Sequence, residues 1–185
     1  MSFRALIIPE DPTHNGAILR PLFQRLLSAA GRRNAKIEVF QDPDYRGYES
    51  LLRGLDQIAI RFSHFDLLVL VVDRDGRVGR PKTLGVRAKR ARSGGANFVP
   101  CIAIEEVEIW LLAGHLSKLG VPWKVLRADA SVKENHFGPF LAKYGDDTKK
   151  DGGREELMLE ALKNLQGILG KCEELNEFVE LVRNG

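Results

Sequence analysis

The sequence predicts an α/β fold: a central, mostly parallel four-stranded sheet with helices on both faces and further helices towards the C-terminus. Four short aliphatic runs, Phe3 to Ile8, Lys36 to Phe40, Asp66 to Val72 and Phe98 to Ile104, are nearly continuous rather than alternating. That is the habit of strands buried on both faces of a parallel sheet. Apolar residues at helical spacing lie between the runs, so the chain reads β-α-β-α-β-α-β. Right-handed crossovers in such a fold gather ligands beyond the carboxyl ends of the strands.

Taken in order, the first strand leads into a helix carrying Ile18, Leu19, Leu22, Phe23, Leu26 and Leu27. The second precedes a helix with Leu51, Leu52, Leu55, Ile58, Ala59 and Phe62. The third runs into a strongly basic stretch with the character of a solvated helix, and the fourth into a helix from about Glu106 to Leu116. An irregular Gly/Pro/Asp-containing region follows, then a helical stretch from Arg154 towards Val182, broken near Gly167 and Gly170. Residues 1–120 are expected to form the α/β core and 121–185 an irregular and helical extension packed on it.

The chain has 185 residues, 44% hydrophobic and 29% charged, which suits one globular core and excludes a fibrous or disordered class. No apolar run approaches the roughly 20 residues of a membrane span, and the N-terminus lacks the pattern of a signal peptide. A cytoplasmic location without membrane attachment is the expectation. Cys101 and Cys172 form neither a disulfide framework nor a metal spacing, and the four histidines have no zinc-ligand spacing, though His14 lies close enough to the first strand to be weighed as a proton carrier. There is no Gly-x-Ser-x-Gly elbow and no phosphate-binding loop of the ATPase type, so ATP hydrolysis by this chain is not expected.

The carboxylates stand where the fold places ligands. Glu10 follows the first strand in Ile7-Ile8-Pro9-Glu10-Asp11-Pro12, a turn where a charge is ordinarily solvated or favoured by a helix dipole. The third strand ends Val72-Asp73-Arg74-Asp75-Gly76. Strand alternation would aim Asp73 and Asp75 the same way, although Asp and Gly are also common turn formers. The fourth strand passes into Glu105-Glu106-Val107-Glu108-Ile109-Trp110, where acids suit a first helical turn but would repel the other carboxylates unless cations screened them. Mg²⁺ (or Mn²⁺) prefers a few carboxylates together with water and phosphate oxygens, so such a cluster is a credible metal site.

This order of motifs, a Glu after the first strand, an Asp-x-Asp after a later one and a Glu-x-Glu-x-Trp-like helix after the last, resembles the Toprim domain shared by topoisomerases, primases and OLD-type nucleases. Most specifically it is similar to small stand-alone Toprim proteins related to the OLD nucleases. The resemblance covers roughly residues 3 to 115. It implies a Rossmann-like sheet, metal at Glu10, Asp73 and Asp75, and Glu106 or Glu108 in the shell of a second ion. It also implies phosphodiester hydrolysis in phage defence, with an ATPase partner. Pro9-Glu10-Asp11 departs from the family's Glu followed by a small residue, so Asp11 could share the role of Glu10.

Charge supplies the remaining candidates. Although the net charge is only +3, the segment from Arg74 to Arg92 holds Arg74, Arg77, Arg80, Lys82, Arg87, Lys89, Arg90 and Arg92 against one acid, Asp75. It is either a contact for a nucleic-acid backbone or a solvated face. Lys149 and Lys150, in a flexible polar segment, are surface lysines or bring an ammonium to a transition-state phosphate. The expected partners are nucleic acid, DNA ahead of RNA, a partner ATPase and further copies of the chain. The rival reading is a non-catalytic metal-binding subunit that docks nucleic acid or a protein. Primase-like nucleotidyl transfer would need template-handling modules for which the chain has little room.

Overall fold

Successive residues of a strand face opposite sides of a sheet, and here both sides are apolar. The computed structural model describes residues 2–95 and 97–185, the side chains of His14, Ala91 and Ser93 excepted. Strands β1 (Arg4–Pro9), β2 (Lys36–Val39), β3 (Leu67–Asp73) and β4 (Phe98–Ala103) form one sheet in the order β2-β1-β3-β4, and every pairing is parallel. Ala5, Ile7, Val69 and Val71 point into one apolar cluster, while Leu6, Ile8, Leu68 and Leu70 point into the other.

Helices α1 (Pro12–Ala29), α2 (Tyr48–Arg61) and α3 (Arg80–Ser93) join the strands. Two of them, α2 and α3, cover one face; α1 covers the other, and the α/β expectation is met. After β4 come α4 (Glu108–Ala113), α5 (Leu116–Leu119) and α6 (Trp123–Ala128), then a π-helical turn at Lys133–Phe137 leading into α7 (Gly138–Tyr144). The chain ends with α8 (Arg154–Ala161), a 3₁₀ turn at Leu162–Asn164, α9 (Leu165–Leu169) and α10 (Glu173–Asn184). The region expected to be irregular is thus largely short helices, too brief for their periodicity to be read from sequence.

The C-terminal helices do not stand apart from the sheet. Both α8 and α10 pack on α1, and α10 also packs on β4. Phe23 of α1 meets the ring of Phe178 edge-on at 5.1 Å and that of Trp110 at 6.4 Å. Trp110 is fully buried core, and its indole N–H donates to Glu174 Oε1 at 2.8 Å. Arg127 also grips Glu174 with both terminal nitrogens and donates to the Ile104 carbonyl at 3.2 Å. Cys101 and Cys172 are buried free thiols, and burial pushes both to high pKa. His115 is buried too, its Nε2 2.8 Å from the Leu157 carbonyl, and desolvation holds its pKa below the usual value. Among the described residues no helix is long and apolar enough to cross a membrane.

Candidate functional site

The parallel sheet sends the ends of β1, β3 and β4 in one direction, and each releases an acid there. Glu10 leaves β1 with its backbone N–H bonded to the Val71 carbonyl at 3.0 Å and its own carbonyl receiving the Gly47 N–H at 3.2 Å. Its side chain is not solvated as a turn residue's would be. It is only 19% exposed, and Oε2 faces the Asp73 N–H at 3.4 Å and Arg80 Nη1 at 3.5 Å. Burial raises its pKa, opposed by Arg80 and reinforced by Asp75.

Asp73 closes β3, and its Oδ1 accepts from the Val107 N–H at 2.8 Å. Burial pushes its carboxyl well above the usual range, and Glu108 and then Glu10 push it further. Asp75 does not continue the strand alternation. Its φ of 47° and Gly76's of 65° form a left-handed turn, which Asp tolerates and Gly favours. Asp75 instead reaches back to Arg80 Nη1 at 2.7 Å.

The three glutamates after β4 separate into different roles. Glu105 is a strut: Arg74 donates to its Oε1, the Gly76 N–H to its Oε2, and the Arg74 and Asp75 N–H groups to its carbonyl. Burial raises the Glu105 pKa, but these donors outweigh it and leave a lowered value. Glu106 accepts the Lys133 N–H at 2.6 Å, yet burial and the nearby Glu108 and Glu134 bring its pKa to about 7. Glu108 is 1% exposed, with Lys133 Nζ 3.5 Å from Oε1 and no hydrogen-bond partner for Oε2 among the described residues.

Two cations at this end were not singled out by sequence reasoning. Arg80 is one of the cations of the basic run, but it is 6% exposed, lies 4.2 Å over the Tyr48 ring and donates to Glu10, Asp75 and the Asp73 carbonyl. Lys133 comes from the region expected to be irregular. Burial lowers its pKa, while Glu108, Glu106 and Asp73 together raise it further. No motif marks either residue; the burial of Arg80 inside an otherwise exposed helix is visible only in three dimensions.

The other candidates are spread more widely. Arg77, in the turn before α3, is exposed, and so are Arg87, Lys89, Arg90 and Arg92, since α3 buries only Leu84 and Ala88 among its described side chains apart from Arg80. Arg90 lies 4.0 Å from Asp56, whereas Arg74 belongs to the Glu105 strut. Lys149 is held by Glu156 in the first turn of α8 and by Asp146 of its own loop at 3.9 Å. Lys150 instead lines a hollow with Thr13 and Arg46. Asp11 caps α1, accepting from the Thr13 N–H at 2.9 Å. The backbone of His14 lies in α1, but its side chain is outside the described residues.

The donor set suits a hard cation in its chemistry. Four of the five buried side-chain atoms without a hydrogen-bond partner among the described residues, Asn15 Oδ1, Arg74 Nε, Arg80 Nε and Glu108 Oε2, belong to this end of the sheet. Of these, only Asn15 Oδ1 and Glu108 Oε2 are oxygens that a cation could use; the two arginine Nε–H groups are donors that call for water or an anion. As arranged, no three described His, Cys, Asp or Glu side chains converge to hold a metal; the Arg80 guanidinium links Glu10 and Asp75 instead. The fold and site together define a parallel α/β protein with a semi-buried, mutually repelling carboxylate group at its strand ends. No protein-family model, curated protein or solved structure matches the chain.

Proposed function

We propose that the chain is a Toprim-like, metal-dependent nuclease that hydrolyses phosphodiester bonds in nucleic acid, DNA ahead of RNA, in a defence system with a partner ATPase. The observation that carries this reading is the Glu10, Asp73 and Glu108 group: three strand-end acids with too few counter-charges, one having a buried oxygen without a hydrogen-bond partner among the described residues. Glu10, Asp73 and Asp75 would hold Mg²⁺ or Mn²⁺, with Glu106 or Glu108 in the shell of a second ion, and the metal would supply charge to polarise the phosphate.

The chain's own groups account for the rest. Glu10, with its raised pKa, takes the proton of the attacking water as that oxygen bonds to phosphorus and the bond to the leaving strand breaks. Lys133 orients Glu108, and Arg80 orients Glu10 and Asp75. The exposed basic face of α3 offers phosphate contacts.

The test is cleavage of single-stranded, double-stranded and supercoiled DNA, expected with Mg²⁺ or Mn²⁺ and lost with chelator. Asp73→Ala with Asp75→Ala should also remove the heat of Mn²⁺ binding in calorimetry. Retained Mn²⁺ affinity in that double variant, or an inert wild type with and without its ATPase, would overturn the reading.

The Arg80 ion pairs favour a second reading, a non-catalytic docking subunit, because the guanidinium already offsets two of the acids. Changing Arg87, Lys89, Arg90 and Arg92 together to Ala is expected to flatten the dependence of log affinity on log salt, by about 0.9 for each duplex phosphate that the protein ceases to neutralise. An unchanged slope would return this face to solvent in both readings.

A further inference from the structure

The start of α1, the turn before α2 and the loop before α8 border an open hollow of about 390 Å³, lined by Pro12, Thr13, Gln41, Pro43, Arg46 and Lys150. Its charges are all of one sign. Among the described residues Arg46 donates only to the Thr13 hydroxyl, and neither Arg46 nor Lys150 has a carboxylate partner. Their neighbours are matched: Arg61 takes Asp42 at 3.2 Å, and Lys149 takes Glu156. Asp11 turns one oxygen to the Thr13 N–H, and Glu155 lines an adjoining hollow with Arg20. Two unmatched cations with a hydroxyl and an amide at hand form a recognition set for a tetrahedral oxyanion. The guanidinium fork spans two oxygens, and the ammonium adds a point charge.

We propose that this hollow is a binding site for a phosphate group. The Gly47 N–H bond to the Glu10 carbonyl, 3.2 Å, ties the turn bearing Arg46 to the backbone of Glu10, two residues before the Pro12 and Thr13 wall of the hollow. That it is a phosphate of a nucleic-acid strand rests on the reading above; that the hollow takes the anion does not. The site can receive either a strand's terminal phosphate or an internal phosphodiester, since both present the same oxygens.

The experiment is run in EDTA, so that its outcome is independent of cleavage. Inorganic phosphate is titrated in calorimetry against chloride at matched ionic strength. The affinity of a fluorescent oligonucleotide is then measured with and without a 5′-phosphate. Wild type should bind phosphate saturably, and Arg46→Ala with Lys150→Ala should weaken it about tenfold or more, the scale of losing two charge-assisted hydrogen bonds. Arg46→Lys with Lys150→Arg should keep most of the affinity, and Lys163→Ala, an exposed lysine elsewhere, should change nothing.

Preference for the 5′-phosphorylated strand, lost in the double alanine variant, assigns the site to a strand end. Equal weakening on both oligonucleotides assigns it to an internal phosphodiester. A wild-type response no greater than that of chloride, or a double alanine variant that binds phosphate and both strands as the parent does, overturns the proposal. Circular dichroism melting of the variants, whose changed side chains are exposed, confirms that they are folded.

Discussion

Glu10→Gln is expected to slow Mg²⁺- or Mn²⁺-dependent cleavage by about 10²- to 10⁴-fold, the range supplied by a positioned general base, without loss of the folded state. Glutamine keeps the length of the side chain and an oxygen able to accept the Asp73 N–H now 3.4 Å from Oε2. What it removes is the capacity to take a proton, along with most of the attraction for a cation. It also removes one of the like charges that push up Asp73, so the fold should tolerate the exchange well. Single-turnover cleavage beside thermal melting separates the two effects. Cutting at the wild-type rate by the variant would remove Glu10 from the chemistry, and a collapsed melting curve would make its role structural.

Glu174→Ala is expected to cost about 3–5 kcal/mol of stability, the scale for breaking one partner out of a buried pair. The carboxylate accepts from Trp110 Nε1 and from both terminal nitrogens of Arg127, and the two charged side chains are only 11% and 18% exposed. Removing it leaves a cation and an indole N–H unmet where α10, α6 and α4 meet. Urea denaturation measures the loss. The double replacement Arg127→Met with Glu174→Leu should recover much of it, since apolar pairs often replace buried ion pairs at little cost. A loss below about 1 kcal/mol, the range of exposed pairs, would mean that this ion pair does not fasten α10.

The sheet was legible because burial on both faces writes itself as uninterrupted aliphatic runs. The first and third strands, read as 3–8 and 66–72, lie at 4–9 and 67–73, and the second and fourth differ only at their last residue. Strand ends in turn located Glu10 and Asp73, since a parallel sheet brings those ends together whatever the loops do. Period-two alternation failed for Asp75, because the chain turns left-handed there; the Asp-Gly pair was the available signal for that turn. Arg80 and Lys133 could not be found this way. One is a buried member of an exposed basic run, and the other reaches Glu108 from a π-helical turn far along the chain. The division of labour among Glu105, Glu106 and Glu108 likewise depends on donors brought from elsewhere, Arg74 and Lys133, to which local spacing is blind.

The packing of α1 against α8 and α10 has a consequence for synthesis. A ribosome emits α1, with Leu22, Phe23 and Leu26, long before Phe178 and the rest of α10 that help to bury it. Until then the nascent chain can pair β1 with β2 and β3, but one apolar side of α1 remains without its final cover. Such a chain is a natural client for chaperones that bind apolar segments, and its last step is a long-range closure of the slow, non-local kind. A translation stall before α10 should therefore prolong chaperone association well beyond that of the released chain.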